Sequence, residues 1–367
     1  MFRSGRVCFF IVATILVCNT SKVRSQSPTD RASSGQEVSG SNPTKNSPSS
    51  APEAVAPETQ RQQQFQMMQM LDQLPPYRPT EKVSGQAKLS GSTTMSDLGH
   101  EWAQNFKQFH PGLEMTGTAE GSEVALRLLS EDPTIIAGVS RPVDAKDQEL
   151  LQAGKCKEPI AITVGMEAMA LFVHRSNPLS SISPDTVKAI FAAGKEGKPK
   201  ARVWGDLGVQ GLLSNEPIAV YEREANSGSQ VFISRVLLGG AELTSSLVPC
   251  NSNTDICEAI SKDTKGVGFA DINFEHPDVR RVPLLVQGEL VQANEINVLA
   301  GKYPIVRPMM LVLDKEQLTK DGKLRESILR YVLSRDGQNV VMKSGFFPLD
   351  PGFVHHQLTE LFGQQLR

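Results

Sequence analysis

Short apolar runs of strand length alternate along this chain with stretches whose apolar residues recur every three or four positions. Leu98, Trp102 and Phe106 fall at i, i+4 and i+8 on one helix face, and Pro111-Gly112 closes that helix. Val124, Leu128 and Leu129 form the apolar side of the next helix, and another starts near Ala145. Ser183-Pro184-Asp185 opens a helix with proline in its first turn. Gln230 to Leu238, Leu324 to Leu333 and Gly337 to Lys343 complete the predicted helices. Between them lie strand-length runs: Ala87 to Leu89, Leu113 to Gly117, Thr134 to Val139, Pro217 to Tyr221, Gly266 to Ala270, Arg281 to Val286 and Met309 to Leu313. Ile160 to His174 is a longer extended stretch interrupted by Gly165. Strand, loop and helix in repetition predict an α/β protein with mostly parallel sheets.

Both ends of the pattern matter. Arg3 and Arg6 precede the apolar run Val7 to Cys18, and Val23-Arg24-Ser25 offers a small-residue cleavage site, so residues 1–25 read as an export signal. The apolar run is short for a transmembrane helix. A lipid anchor at Cys18 ranks lower, because Val17 stands where a small residue is expected. Residues 26–82 are polar and rich in Ser, Pro, Thr and Gln, which predicts a disordered tether holding a short Gln/Met-rich helix between Gln62 and Leu74. The fold is expected to begin near Val83.

Removing residues 1–25 takes away Arg3, Arg6, Lys22 and Arg24 and no acids, which moves the formal charge from −2 to −6. Such a chain is not built for nucleic acid or anionic membranes. An anion site in it must come from local geometry. Export permits disulfides among Cys156, Cys250 and Cys257. Cys250 and Cys257 have six residues between them and can close a small loop, which spacing alone does not establish. Neither a CxxC pair nor a histidine pair completes a metal site, and no cofactor motif is present.

Three connections share one chemistry. Leu89 to Met95, Gly117 to Val124 and Tyr221 to Val231 each leave a strand through glycine and hydroxyl residues and enter a helix. The third contains Arg223, Ser227, Gly228 and Ser229. Helix N-termini, small hydroxyls and a guanidinium all favour a tetrahedral oxyanion. The plainer reading makes each hydroxyl a helix cap, worth about 1 kcal/mol and sufficient by itself. Ligands of open α/β sheets bind beyond the carboxyl ends of strands, where these three loops and Ser140-Arg141 all fall.

From about residue 85 to 350 the chain resembles the phosphate-binding proteins of bacterial ABC phosphate transporters, a branch of the type II periplasmic binding proteins. The matching stretches are Gly91-Ser92-Thr93-Thr94, Ala137-Gly138-Val139-Ser140-Arg141-Pro142, Arg223 through Ser229, and Val236 to Ala241. Gly301-Lys302-Tyr303-Pro304-Ile305-Val306-Arg307-Pro308 resembles the family's return segment, and Leu333 to Gln338 its last helix. The resemblance implies two α/β lobes joined by two crossover strands, with the ligand in the interlobe cleft. The first lobe would hold residues 83–167 and 301–367, and the second 168–300. It implies inorganic phosphate as ligand, a membrane permease as partner, a monomer, and an extracytoplasmic or periplasmic place of work.

Residue by residue, the resemblance puts Ser92, Thr93 and Thr94 at the first helix N-terminus, Ser122 at the second, and Ser140 with Arg141 after the third strand. Arg223, Ser227, Gly228 and Ser229 form the second lobe's half. Glu123 departs from the family's Gly-Ser-Gly. Phosphate keeps a proton at neutral pH and sulfate does not, so selecting phosphate requires a hydrogen-bond acceptor. The Ser-Arg branch carries an acid before its crossing strand. The comparable position is Glu167, with Glu120 or Glu123 as alternatives. Sulfate, molybdate, arsenate or an organic phosphate, and a sensor or scavenger role without transport, stay open. A phosphatase-like hydrolase is disfavoured, because none of the six histidines falls in the three loops to act as a base.

Overall fold

The computed structural model describes Phe65 and residues 67–225, 227–321 and 323–363. The export signal, Cys18, most of the expected tether and Asn226 lie outside the described residues.

Eleven strands are described: β1 (Gly85–Gly91), β2 (Leu113–Thr118), β3 (Ile135–Val139), β4 (Pro159–His174), β5 (Ala219–Arg223), β6 (Leu247–Cys250), β7 (Gly266–Asp271), β8 (Val279–Arg281), β9 (Leu284–Val286), β10 (Glu289–Val291) and β11 (Val306–Asp314). The helices around them are α1 (Ser96–Phe109), α2 (Ser122–Glu131), α3 (Ala145–Ala153), α4 (Pro184–Phe191), α5 (Gly228–Phe232), α6 (Asn253–Lys262), α7 (Glu295–Leu299), α8 (Gln317–Lys320), α9 (Leu324–Val332), α10 (Arg335–Lys343) and α11 (Pro351–Phe362). The main sheet runs β2-β1-β3-β11-β4-β7-β5-β6, with β8 beside β4.

The sheet is mixed, which corrects the expectation of mostly parallel strands. β1 pairs parallel with β2 and β3, and β5 pairs parallel with β6 and β7. The crossing strands are antiparallel to each other and to their neighbours. A chain that leaves one lobe and later returns must run back beside its outward path, and local periodicity carries no sign of that direction. β4 serves both lobes: Pro159 to Ala168 pairs with β11, and Met169 to Val173 pairs with β7.

Packing follows the apolar pattern. α1 buries Leu98, Trp102 and Phe106, each adding about 1.5–3 kcal/mol of transfer free energy, and Trp102 Nε1 donates to the Gly337 carbonyl at 3.0 Å. The second lobe's core gathers Phe172, Phe191, Trp204, Phe232 and Phe269. Tyr303 and Ile305 are buried in that core, and Val306 at the start of β11 packs against it.

The first lobe begins earlier than Val83. Residues 67–71 are helical, and Met67, Leu71, Leu74 and Tyr77 are buried. The backbone N–H of Tyr77 donates to Asp336 at 2.6 Å, and its ring meets Tyr331 edge-on. The Val83 N–H donates to His110 Nδ1 at 3.1 Å, so Nε2 carries the proton that faces Tyr77 Oη at 2.8 Å. Burial, with the charge of Lys82, lowers the His110 pKa and keeps this ring neutral. The sequence assigns 67–82 to the tether, with a short helix within 62–74 that Pro75-Pro76 stops. Tertiary contact supplies what composition lacks.

Two further expectations change. Cys156, Cys250 and Cys257 are all free and buried, so the small loop is not closed by a bridge. The predicted helices stop at Lys343, and the structure adds one more, α11, opened by Asp350 as cap and Pro351.

Candidate functional site

The carboxyl ends of β1, β2 and β3 converge. β1 and β3 run parallel in register, Gly91 beside Gly138, so the loops that leave them start side by side. Ser92 Oγ lies 2.8 Å from Ser140 Oγ, and the Ser140 N–H donates to Ser122 Oγ at 3.3 Å. Ser92 also caps the turn after it, accepting from the Thr94 N–H at 3.2 Å. The cap reading and the cluster reading therefore hold together. Gly121 reaches this point with φ 97°, a conformation that favours glycine.

The second lobe closes onto this cluster. β5 ends at Arg223, whose Nη2 donates to Thr93 Oγ1 across the cleft at 3.2 Å. Ser227 caps α5 by accepting from the Gln230 N–H. Gly228 begins that helix against the serines. A Cβ there would lie 2.2 Å from Ser140 Oγ and 3.0 Å from Ser122 Oγ. Ser229 is buried, and its hydroxyl has no hydrogen-bond partner.

The crossing strands supply a charged floor. Arg307 on β11 is in register with Glu167 on β4, so both side chains stand on one face of the sheet. Arg307 Nε and Nη2 reach Glu167 Oε2 at 2.8 and 2.7 Å, and Nη2 also donates to Thr94 Oγ1 at 3.3 Å. Both residues are at most 1 % exposed. Buried polar atoms normally find partners. Here Glu167 Oε1, Arg223 Nε, Arg307 Nη1 and Ser229 Oγ have none.

Two more acids sit behind this face. Burial pushes Glu222 up to about 8, against the pull of the Arg223 N–H and of both guanidiniums. Burial and the charge of Glu167 raise Asp271 as well. Burial and the neighbouring Arg307 charge lower Arg223, while Glu224 draws it back up. Burial favours the neutral form of Glu222, so the guanidiniums of Arg223 and Arg307 face the cleft with one carboxylate each, Glu224 at 3.7 Å and Glu167 at 2.7 Å, and each keeps an unpartnered N–H. That field suits an anion.

Eight of the eleven predicted residues, Ser92, Thr93, Thr94, Ser122, Ser140, Glu167, Arg223 and Gly228, meet around this one cleft, and the buried Ser229 follows Gly228 in α5. Ser227 stands beside them as the cap of α5. Arg141 is a correction. Its buried guanidinium turns to α3 and grips Asp147 at 2.5 and 3.0 Å and Glu123 at 2.8 Å. Asp147 holds it there: although burial opposes ionisation, Arg141 draws the Asp147 carboxyl below its usual range. Of the alternative acceptors, Glu120 is exposed and Glu123 is engaged by arginine. Sequence reasoning missed Arg307 as a site residue. Its signal was an arginine inside an otherwise apolar strand, where a buried charge requires a partner. Among the described residues, no cluster of His, Cys, Asp or Glu could hold a metal ion.

Comparison with known proteins gives a consistent picture. The PBP superfamily domain profile matches residues 77–336. The phosphate-binding protein PstS of Pseudomonas aeruginosa is 30% identical over 78% of this chain and 90% of its own length. PstS of Bacillus subtilis is 27% identical over 73% of this chain and 82% of its own. Among solved structures, a phosphate ABC transporter substrate-binding protein of Clostridium perfringens with bound phosphate superposes with a TM-score of 0.57 at 22% identity, covering 72% of this chain and all of that one. A Vibrio cholerae phosphate transport receptor gives 0.60 at 18%, with the same coverage. At these identities the structures speak for the two-lobed fold.

Proposed function

We propose that this chain, which belongs to the PBP superfamily and within it to the phosphate-binding proteins, captures inorganic phosphate between its lobes and delivers it to the permease of an ABC transporter. One observation carries the reading. Unpartnered buried donors, Arg223 Nε and Arg307 Nη1, with Ser229 Oγ at the start of α5, stand with the unpartnered buried acceptor Glu167 Oε1 around the cleft, and Glu222 Oε2 behind them is unpartnered too. Monohydrogen phosphate offers several acceptor oxygens and one O–H, which matches that set.

In this reading the three serine-bearing loops and the N-terminus of α5 donate to the anion from both sides. Arg223 and Arg307 supply charge, and Glu167 receives the phosphate proton. Closure removes water, so each contact acts in a medium of low dielectric. Ser92 and Ser140 face each other's hydroxyls rather than a histidine, which favours capture over hydrolysis. Residues 1–25 direct export, and the chain works as a monomer outside the cytoplasm. Among the described residues no helix is long and apolar enough to cross a membrane.

Calorimetric titration of the chain with sodium phosphate and sodium sulfate at pH 7.5 tests this. Tight phosphate binding and weak sulfate binding are expected. Arg223→Ala should weaken phosphate by about 1.5–3 kcal/mol, some ten- to 150-fold, with the melting temperature kept. Sulfate binding as tight as phosphate, or unchanged affinity in the variant, overturns the assignment.

A further inference from the structure

Glu123 and Arg141 sit beside the anion-binding serines yet face away from them. Glu123 follows Ser122, and Arg141 follows Ser140. The guanidinium of Arg141 holds Glu123 Oε1 at 2.8 Å, and that same oxygen lies 4.0 Å from Nη2 of Arg235. Arg235 comes from the other lobe. Its Nη1 donates to Asp144 Oδ2, 91 positions away in sequence. Asp144 is itself fixed as the cap of α3, in a reciprocal capping box with Asp147. Asp147 in turn grips Arg141.

Five charged residues therefore form one chain across the cleft, and four of them belong to the first lobe. Arg235 is the sole residue of the second lobe in it. Its element is unusual. After α5 the backbone widens into a π turn, Ile233–Leu237, with the Leu238 N–H bonding back to the Ile233 carbonyl at 2.9 Å. Such turns are rare and recur at functional sites. This one starts five residues after Gly228, so Arg235 and the anion-facing end of α5 move as one body.

We propose that Arg235 is the closure residue of the second lobe. It clasps Asp144 and Glu123 when the lobes shut, and so sets how long the captured anion stays. The clasp rests on the cleft being the binding site and on phosphate as its ligand. It also gives a role to the acid at position 123: that carboxylate reads the opposite lobe and leaves the anion alone. Arg235 is 40% exposed and its partners 36%, so the clasp is open to salt screening.

The test compares the native chain with Arg235→Ala and Arg235→Lys. Release of labelled phosphate is followed by chase at 50 and 500 mM sodium chloride. Radius of gyration is measured by small-angle X-ray scattering with and without phosphate. Arg235→Ala is expected to release phosphate roughly three- to tenfold faster at low salt, with little change in association rate and melting temperature. The native rate should rise with salt toward that of the variant, and Arg235→Lys should restore part of the slow release. The scattering should show a more open average shape for Arg235→Ala. A native chain that binds no phosphate overturns the ligand, and the clasp is then read from the scattering alone. A native chain that binds phosphate, with release and shape unchanged in Arg235→Ala, overturns the clasp.

Discussion

The Glu167→Gln exchange is expected to move phosphate and sulfate affinity in opposite directions. In the native chain Oε2 of Glu167 accepts a hydrogen bond from Arg307 Nε at 2.8 Å and lies 2.7 Å from Nη2 in the ion pair, while Oε1 is buried without a partner. A carboxylate oxygen only accepts. A phosphate O–H donates to it, whereas sulfate brings one lone pair against another. A buried polar group left unmatched costs about 1–3 kcal/mol, and more when charged, which corresponds to roughly five- to 150-fold in Kd. Glutamine keeps the shape, and its amide oxygen can still take the Arg307 contact. Its NH2 then occupies the acceptor's place and donates. Phosphate loses the partner of its proton, and sulfate gains a donor. The Arg307 charge, no longer balanced, also attracts any dianion more strongly. The phosphate Kd should rise on the order of tenfold and the sulfate Kd should fall by a comparable factor. Calorimetric titration with both anions at pH 7.5 reads the two constants, and a thermal melt checks the fold. A variant that binds phosphate with the native Kd and still rejects sulfate would falsify the role of Glu167 as the reader of the phosphate proton.

Two other sites are testable in the same chain. Gly228→Ala places a Cβ 2.2 Å from Ser140 Oγ, so the lobes should fail to close fully. Overpacking of this kind costs typically about 1–3 kcal/mol, so affinity should fall some five- to 150-fold by calorimetry while the ligand-free melting temperature holds or rises; an unchanged Kd would contradict the closed geometry. Glu222→Gln should alter the pH dependence of stability. The folded-state pKa of Glu222 is raised to about 8, so its contribution is intact below about 4.5 and is lost as pH rises through about 8. Urea unfolding should find the variant matching the native chain near pH 4.5 and exceeding it by up to a few kcal/mol near pH 9. Parallel stability profiles would show that Glu222 is not held neutral.

Much of the fold was legible because its cause is local. The i, i+4, i+8 stripe of Leu98, Trp102 and Phe106 requires a helix with one buried face, and it forms α1. The apolar run before Ser140 requires a buried strand, and it forms β3, buried at every position. The hydroxyl and glycine loops were legible for the same reason: a strand end, a cap residue and a helix start are neighbours in sequence. Ser92, Ser122, Ser140 and Arg223 could be named from such local chemistry together with the order of segments.

What stayed hidden depends on partners far apart in the chain. Whether residues 67–77 fold was decided by Tyr331, Asp336 and His110. Arg141 turned from the cleft because the fold sets Asp147 and Glu123 within hydrogen-bond reach of its guanidinium. Cys250 and Cys257 stay reduced on separate elements, β6 and α6. Above all, Arg307 and Glu167 are 140 positions apart and meet because two crossing strands pair in register. The sequence by itself determined the strand–helix order, the helix caps and the anion-friendly loops, since each is a property of a few adjacent residues. Tertiary structure decided which charges face those loops, because burial allows a charge to persist only beside the partner that the fold delivers.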